Sequence, residues 1–167
     1  MKQLILILLA SALIACVAQA QTTTIILVRH AEQDKNPPND PPLNAQGQAR
    51  AELLAISLSK LPISAAYTTT LLRAKATAWP TTKANNVELT HYKLEDDEAQ
   101  FIQSIVKKHN GKNVLLIGHS GNIAELLNGA TQSKKYDDKA IDGFSDFYVL
   151  TFVGTAPAVV TRLKYGQ

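Results

Sequence analysis

Cysteine is almost absent from this sequence, since Cys16 is the only one among 167 residues. An internal disulfide framework or a thiolate metal site needs several cysteines, so both are excluded. Aromatic residues make up 6% of the chain, and no long run of Lys and Arg occurs. A nucleic-acid groove needs clustered basic residues and usually stacking aromatics, so we expect no nucleic-acid partner. No compact cluster of His and Asp occurs either, and we expect no metal and no other cofactor.

The charge of the chain is nearly balanced, with 17 basic and 14 acidic residues and a formal net charge of +3. This surplus indicates no more than a weak preference for anions. Hydrophobic residues make up 46% of the chain, which is ordinary for a globular protein with a core. The length fits one domain with a short extension.

The N-terminus has the pattern of an export signal. Lys2 gives a positive start, residues 4–15 are almost entirely apolar, and Ala18-Gln19-Ala20 offers a small-x-small cleavage site. This pattern predicts a secretory signal peptide over residues 1–20 and a single domain over residues 21–167. The apolar run is shorter than the roughly 20 residues of a membrane span. We therefore expect an exported protein, periplasmic or extracellular, with no membrane span in its mature form.

The same segment supports a second interpretation. Leu13-Ile14-Ala15-Cys16 resembles a bacterial lipobox, in which the cysteine is lipidated and becomes the mature N-terminus. The chain would then be an envelope lipoprotein anchored at Cys16. Because the first predicted strand begins soon after Cys16, that tether would be short, and we favour the soluble exported form. A retained N-terminal anchor helix is a third alternative.

Beyond this segment, strand-like and helix-like stretches alternate. Residues 22–28 are β-branched and apolar throughout, which is typical of a strand buried on both faces. The other predicted strands are 63–68, 87–89, 113–117, 147–153 and 158–163, and the predicted helices are 45–60, 71–84, 96–109 and a fourth that ends near 128. The alternation predicts a three-layer α/β/α domain with a mostly parallel sheet, to which the last two strands add an antiparallel edge.

Two of the predicted strands lead directly into a histidine. Arg29 and His30 follow the first strand, and His119 follows the fourth. Ligands of such sheets bind beyond the carboxyl ends of the strands, where these side chains could converge. A neutral imidazole is a good nucleophile toward phosphorus. The planar, always charged guanidinium of arginine suits phosphoryl oxygens, so the pattern favours a site that handles phosphate.

Four motifs, in the same order along the chain, resemble those of the histidine phosphatase superfamily, also called the phosphoglycerate mutase-like family. The family's first strand ends in Arg-His-Gly, and the corresponding run here is Leu27-Val28-Arg29-His30-Ala31-Glu32. The later motifs are similar to Leu43-Asn44-Ala45-Gln46-Gly47, Thr69-Thr70-Leu71-Leu72-Arg73-Ala74-Lys75-Ala76-Thr77-Ala78 (with Thr69 for the family's Ser) and Gly118-His119-Ser120. The resemblance extends from about residue 24 to 127 and implies a phosphoglycerate mutase-like fold.

The resemblance implies a role for each of four residues. His30 would attack phosphorus and form a phosphohistidine intermediate. Arg29, Arg73 and His119 would bind the phosphoryl oxygens, with His119 acting as a cation or a hydrogen-bond donor. Nearby positive charge would keep His30 neutral, and a backbone carbonyl is expected to hold its other ring nitrogen. The implied enzyme is a histidine-type phosphatase that hydrolyses a phosphomonoester or phosphohistidine carried by a small molecule, a glycan or a protein.

The proton donor for the leaving group stays open at this stage. Larger members of the family carry a mid-chain acid, whereas small members that cleave phosphohistidine lack it. Four acidic residues lie in the corresponding part of this chain without the surrounding pattern: Glu88, Glu95, Asp96 and Asp97. Glu32 is a further candidate acid because it lies two residues after His30, and we rank it below the absence of a dedicated acid.

Two other functions remain as alternatives. A phosphate-binding module of the same fold, without turnover, would also explain the missing acid. Gly118-His119-Ser120-Gly121-Asn122 resembles the Gly-x-Ser-x-Gly elbow of serine hydrolases, with Ser120 as the nucleophile. Position 122 is Asn rather than Gly, and no histidine follows His119, so the triad of that fold cannot form in its usual chain order. The pattern carries no signal for an oligomeric state.

Overall fold

A six-stranded sheet forms the centre of the computed structural model, which describes residues 21–94, 97–137, 141 and 143–166. In chain order the strands are β1 (Thr22–Arg29), β2 (Ile63–Thr68), β3 (Leu89–His91), β4 (Asn113–Gly118), β5 (Asp146–Val153) and β6 (Val159–Lys164). Their order across the sheet is β3-β2-β4-β1-β5-β6. Strands β1 to β4 are parallel, whereas β5 pairs antiparallel with β1 and with β6. The predicted parallel sheet with an antiparallel edge is therefore confirmed.

Helices cover both faces of this sheet. They are α1 (Ala45–Ser57), α2 (Leu72–Asn85), α3 (Glu98–Lys108) and α4 (Ile123–Thr131), and α1 packs on α2 as α3 packs on α4. Leu115 and Leu116, neighbours in β4, belong to two different apolar clusters. Successive side chains of a strand point to opposite faces, so each cluster lies between the sheet and one helix pair. This is the predicted three-layer arrangement.

Side-chain caps define where two of these helices begin. The side chain of Asn44 accepts a hydrogen bond of 2.9 Å from the backbone N–H of Gly47, which places the start of α1 where the sequence predicts it. Asp97 accepts in the same way from Gln100 at the start of α3. Residues 34–42, which contain four prolines, form the predicted loop between β1 and α1.

Strand β3 begins two residues later than the sequence pattern predicts. The prediction was residues 87–89, whereas β3 comprises Leu89–His91. Asn86 ends α2 in the left-handed conformation with a φ of 53°, and the N–H of Val87 donates to the carbonyl of Thr82 at 3.0 Å. Because this N–H completes the end of the helix, Val87 does not enter the sheet.

The predicted signal peptide, including Cys16, lies outside the described residues, as do Glu95 and Asp96. Within the ranges that the structure describes, no helix combines the length and apolar character needed to cross a membrane.

Candidate active site

The site lies at the carboxyl ends of the central strands. Arg29 pairs with Gly118 in the register of β1 and β4, so the next residues, His30 and His119, stand side by side. Their ring centroids are 5.1 Å apart. Both residues are buried, with exposed fractions of 4% and 7%. The parallel register thus brings together two histidines that are distant in sequence.

Two hydrogen bonds define the tautomer of His30. Its Nδ1 lies 2.8 Å from the carbonyl oxygen of Ala31, which can only accept, so Nδ1 carries the proton. Its Nε2 lies 3.2 Å from Nε of Arg73, which can only donate, so Nε2 presents a lone pair. The prediction that a backbone carbonyl holds one ring nitrogen of His30 is confirmed. The other nitrogen, Nε2, is the atom that can act as a nucleophile.

The surroundings of His30 also keep it neutral. Burial lowers its pKa from 6.5 to about 4. The hydrogen bond to Ala31 raises the pKa, while the positive charges of Arg73 and Arg29 lower it further. The prediction that nearby positive charge favours neutral His30 is confirmed, although burial is the larger cause. At neutral pH the lone pair on Nε2 is therefore available.

His119 is neutral in this structure as well. Burial lowers its pKa to about 4, and His30, Arg73 and Arg29 act in the same direction. Of the two predicted forms of His119, cation or hydrogen-bond donor, the lowered pKa favours the neutral donor, because desolvation and neighbouring groups disfavour the second proton. As a neutral imidazole, His119 can still donate one hydrogen bond. Its backbone N–H donates to Oδ1 of Asn122 at 2.8 Å, and its Nε2 lies 3.0 Å from Oγ1 of Thr69.

Two arginines lie near the histidines. The guanidinium carbon of Arg29 is 4.1 Å from the ring centroid of Phe144, which lies 6.0 Å from that of His30. Arg73 contacts His30 directly, and its Nη1 is 3.8 Å from Oδ1 of Asp40. The structure thus places two permanent cations around a neutral imidazole. Such an arrangement can bind a phosphoryl group and stabilise the charge on its oxygens during transfer.

Glu32 is directed to a different partner. Both of its carboxylate oxygens lie 2.8 Å from Nε of Arg50, and Nη2 of Arg50 is 2.6 Å from one of them. Burial raises the pKa of Glu32, but the hydrogen bonds and charge of Arg50 outweigh it and the pKa is lowered. An ionised carboxylate cannot donate a proton. The interpretation of Glu32 as a candidate acid is therefore corrected: Glu32 is a buried structural partner of Arg50.

Of the other four acidic candidates, two lie away from the site and two fall outside the described residues. Glu88 is exposed and precedes β3, at the amino end of a parallel strand whose carboxyl end faces the site. Asp97 caps α3. Glu95 and Asp96 lie outside the described residues. In the part of the chain that the structure describes, no group of three or more His, Cys, Asp or Glu side chains is arranged to hold a metal.

Several residues around the site were not singled out from the sequence. Asp40 accepts the N–H of Leu72 at 2.9 Å and so attaches the proline-rich loop to α2 beside Arg73. Arg50 lies on a helix, where arginine is usually solvated, and Phe144 follows a polar stretch, so neither position carried a local signal. Thr69 did carry one, since it opens the motif that contains Arg73. Ser120, the nucleophile of the rival hypothesis, is exposed.

A known family model matches the part of the sequence that contains three of these side chains. The model of the histidine phosphatase superfamily (branch 1) matches residues 25–97, which include Arg29, His30 and Arg73. The matched stretch is less than half of the chain, and over it the sequence is similar to that superfamily. His119 lies outside the matched residues, so its place in the site depends on the register between β1 and β4.

Solved structures share the fold. Phosphoserine phosphatase from Entamoeba histolytica, in complex with 3-phosphoglyceric acid, superposes with a TM-score of 0.69 at 17% identity, over 87% of this chain and 97% of that one. The protein histidine phosphatase SixA, complexed with tungstate, gives a TM-score of 0.67 at 16% identity, over 84% of this chain and 96% of that one. At such identities the likeness shows the fold alone.

A curated relative is more similar over a shorter stretch. Phosphoserine phosphatase 1 of Hydrogenobacter thermophilus is 38% identical over 71 residues, which cover 39% of this chain. The match spans 34% of the relative's own length. The similarity thus covers a minority of each chain.

Proposed function

We propose that this chain is a histidine-type phosphatase that hydrolyses a phosphomonoester or phosphohistidine through a phosphohistidine intermediate on His30. The observation that carries the proposal is the state of His30: Nδ1 is held by Ala31, and Nε2 presents its lone pair beside Arg73. The lowered pKa, about 4, keeps that lone pair unprotonated at neutral pH.

The reaction would proceed in two displacements at phosphorus. In the first, Nε2 of His30 forms a bond to phosphorus, and this bond replaces its hydrogen bond with Arg73. The bond between phosphorus and the leaving group breaks. The leaving group keeps the electron pair and takes up a proton. In the second, water attacks phosphorus, the N–P bond breaks with its electron pair returning to Nε2, and phosphate is released. Arg29, Arg73 and His119 would stabilise the charge on the phosphoryl oxygens in both displacements.

The state of Glu32 bears on the kind of leaving group. Its carboxylate is ionised and held by Arg50, which supports a reaction without a proton from this residue. A nitrogen leaving group depends less on a dedicated acid than an alkoxide does. Phosphohistidine therefore belongs in the substrate panel beside phosphorylated small molecules, glycans and proteins.

The test is vanadate-sensitive hydrolysis across this panel by the wild type, His30→Ala and Ser120→Ala. We expect His30→Ala to lose about 10³-fold or more in turnover, because no second nucleophile replaces the imidazole. Ser120→Ala should retain turnover. Rapid quenching with labelled substrate should trap a phosphoenzyme that is stable to alkali and labile to acid, as a phosphohistidine is.

Two outcomes would contradict the proposal. Loss of turnover in Ser120→Ala alone would indicate the serine hydrolase. Phosphate binding by the wild type without turnover on any member of the panel would indicate a non-catalytic phosphate-binding module.

We further propose that residues 1–20 direct export and are removed after Ala20. The support is the pattern of Lys2, the apolar run and the small-x-small site. Expression in a bacterial host, fractionation and intact mass should give a chain that begins at Gln21. A lipid-modified mass beginning at Cys16 would indicate the envelope lipoprotein, and an uncleaved chain in the cytosol would contradict export.

A further inference from the structure

Thr69 stands beside His119 at the carboxyl edge of the sheet. The register of β2 and β4 pairs Tyr67 with Leu116, so Thr69, two residues later, comes level with Gly118. Because β4 lies between β2 and β1, the residues that follow these strands form a row of Thr69, His119 and His30. Thr69 is 4% exposed, so its hydroxyl belongs to the interior of the site.

The hydroxyl of Thr69 contacts the ring of His119. Its Oγ1 lies 3.0 Å from Nε2, whereas the contact of Asn122 is with the backbone N–H of His119. The Asn122 contact therefore holds the backbone, and the Thr69 contact acts on the orientation of the imidazole. A hydroxyl can donate or accept, and when it donates to Nε2 the single proton of a neutral imidazole resides on Nδ1.

We propose that Thr69 is a positioning residue that donates to Nε2 of His119, so that the Nδ1–H of His119 is the group presented to the phosphoryl oxygens. The inference rests on the proposed function, since that function gives His119 its contact with those oxygens. The hydrogen bond of the Thr69 hydroxyl is to the ring of His119, so Thr69 acts through His119. Thr69 follows β2, and β4 lies between β2 and the strand that leads into His30.

The alternative is that Thr69 merely satisfies a buried nitrogen. The two roles differ in their effect on chemistry. A structural contact affects stability and leaves turnover per folded molecule unchanged. A positioning contact affects kcat more than KM, because the donor stabilises the charge that develops on the phosphoryl oxygens in the transition state more than it stabilises the bound substrate.

The test compares three substitutions. Thr69→Val removes the hydroxyl and keeps the shape, Thr69→Ser keeps the hydroxyl, and Thr68→Val is the matched control. Thr68 is fully buried and adjacent, and its hydroxyl has no hydrogen-bond partner among the described residues. We expect Thr69→Val to lower kcat about tenfold with little change in KM, the size of a single well-placed hydrogen bond. Thr69→Ser and Thr68→Val should stay within about twofold of the wild type. Wild-type kcat in Thr69→Val, or an equal loss in Thr69→Ser, would overturn the proposal.

A second measurement does not depend on activity. The ¹⁵N chemical shifts of the His119 ring report which nitrogen carries the proton. We expect the Nδ1–H tautomer in the wild type and a shift toward Nε2–H in Thr69→Val. An Nε2–H tautomer in the wild type would overturn the proposal, even if Thr69→Val fails to fold. If no substrate is hydrolysed and the tautomer is as expected, it is the proposed function that fails and the hydrogen bond that stands.

Discussion

The imidazole of His30 is acted on by several neighbours at once. Burial and the two arginines lower its pKa, and the carbonyl of Ala31 raises it. Arg73 has two effects, because it donates to Nε2 and contributes a positive charge close to the ring. The same residue that would bind the phosphoryl group therefore also helps to keep the nucleophile unprotonated.

Replacing Arg73 should change both the pKa of His30 and the turnover, and the two can be measured separately. In Arg73→Gln we expect the pKa of His30 to rise from about 4 toward its ordinary value, because a nearby positive charge is removed. Turnover should fall about 10²-fold or more through the loss of charge stabilisation. NMR titration of the ring protons measures the first effect, and Arg162→Gln, which removes an arginine paired with Asp146, is the control. A pKa of His30 that is unchanged or lower would contradict the expectation.

At the scale of elements, helix α1 holds the segment that follows His30. The N–H of Asn44 donates to the carbonyl of Glu32 at 3.0 Å, and Arg50 binds its carboxylate. Arg50 also donates to the carbonyl oxygens of Tyr165 and Gly166, at 3.1 and 2.9 Å. Arg50, one buried helix residue, thus joins the segment after His30 to the last described residues of the chain.

The close approach of α1 to this segment depends on Gly47. A Cβ at Gly47 would overlap the backbone carbonyl of Glu32, whereas a Cβ at Gly121 would meet no atom within 4 Å. Alanine is the better helix former by about 1 kcal/mol. We nevertheless expect Gly47→Ala to lower the free energy of unfolding by about 1–3 kcal/mol, because backbone atoms must move apart. Denaturant unfolding measures this, with Gly121→Ala as the control, and a stabilised Gly47→Ala would contradict it.

At the scale of the whole molecule, the site lowers stability in mild acid. In the folded chain His30 and His119 have pKa values of about 4, compared with 6.5 for an exposed histidine. Between these values the unfolded chain binds protons that the folded chain does not. Unfolding therefore takes up protons, and stability falls as the pH decreases through this range.

This linkage can be measured by denaturant unfolding between pH 7 and pH 5. Each of the two histidines should add up to about 1.4 kcal/mol per pH unit to the slope of stability against pH. The double variant His30→Asn/His119→Asn should show a shallower slope, and Ser120→Ala, which removes no titrating group, should keep the wild-type slope. Above pH 5 Glu32 contributes little, because its carboxylate is ionised in the folded chain and mostly ionised in the unfolded chain, where its pKa is 4.5. Equal slopes in the double variant and the wild type would contradict the explanation.

The sequence by itself determined the layers of the fold and the identity of the central side chains. Apolar runs and helical spacing are local properties, so strands and helices could be placed, and Arg29, His30, Arg73 and His119 lie within short motifs beside them. Strand β3 was misplaced by two residues, because the N–H of Val87 bonds back to the preceding helix. Competition of that kind is not visible in a local pattern.

Only the tertiary structure decided how these side chains are held and protonated. The contacts of Glu32 with Arg50 and of Thr69 with His119 join residues that are distant along the chain. The pKa of His30 depends chiefly on burial, which arises when the sheet and helices pack. A short motif can point to a candidate nucleophile and a candidate acid. Hydrogen bonding and desolvation in the folded chain decide that His30 is neutral and that Glu32 is ionised beside Arg50.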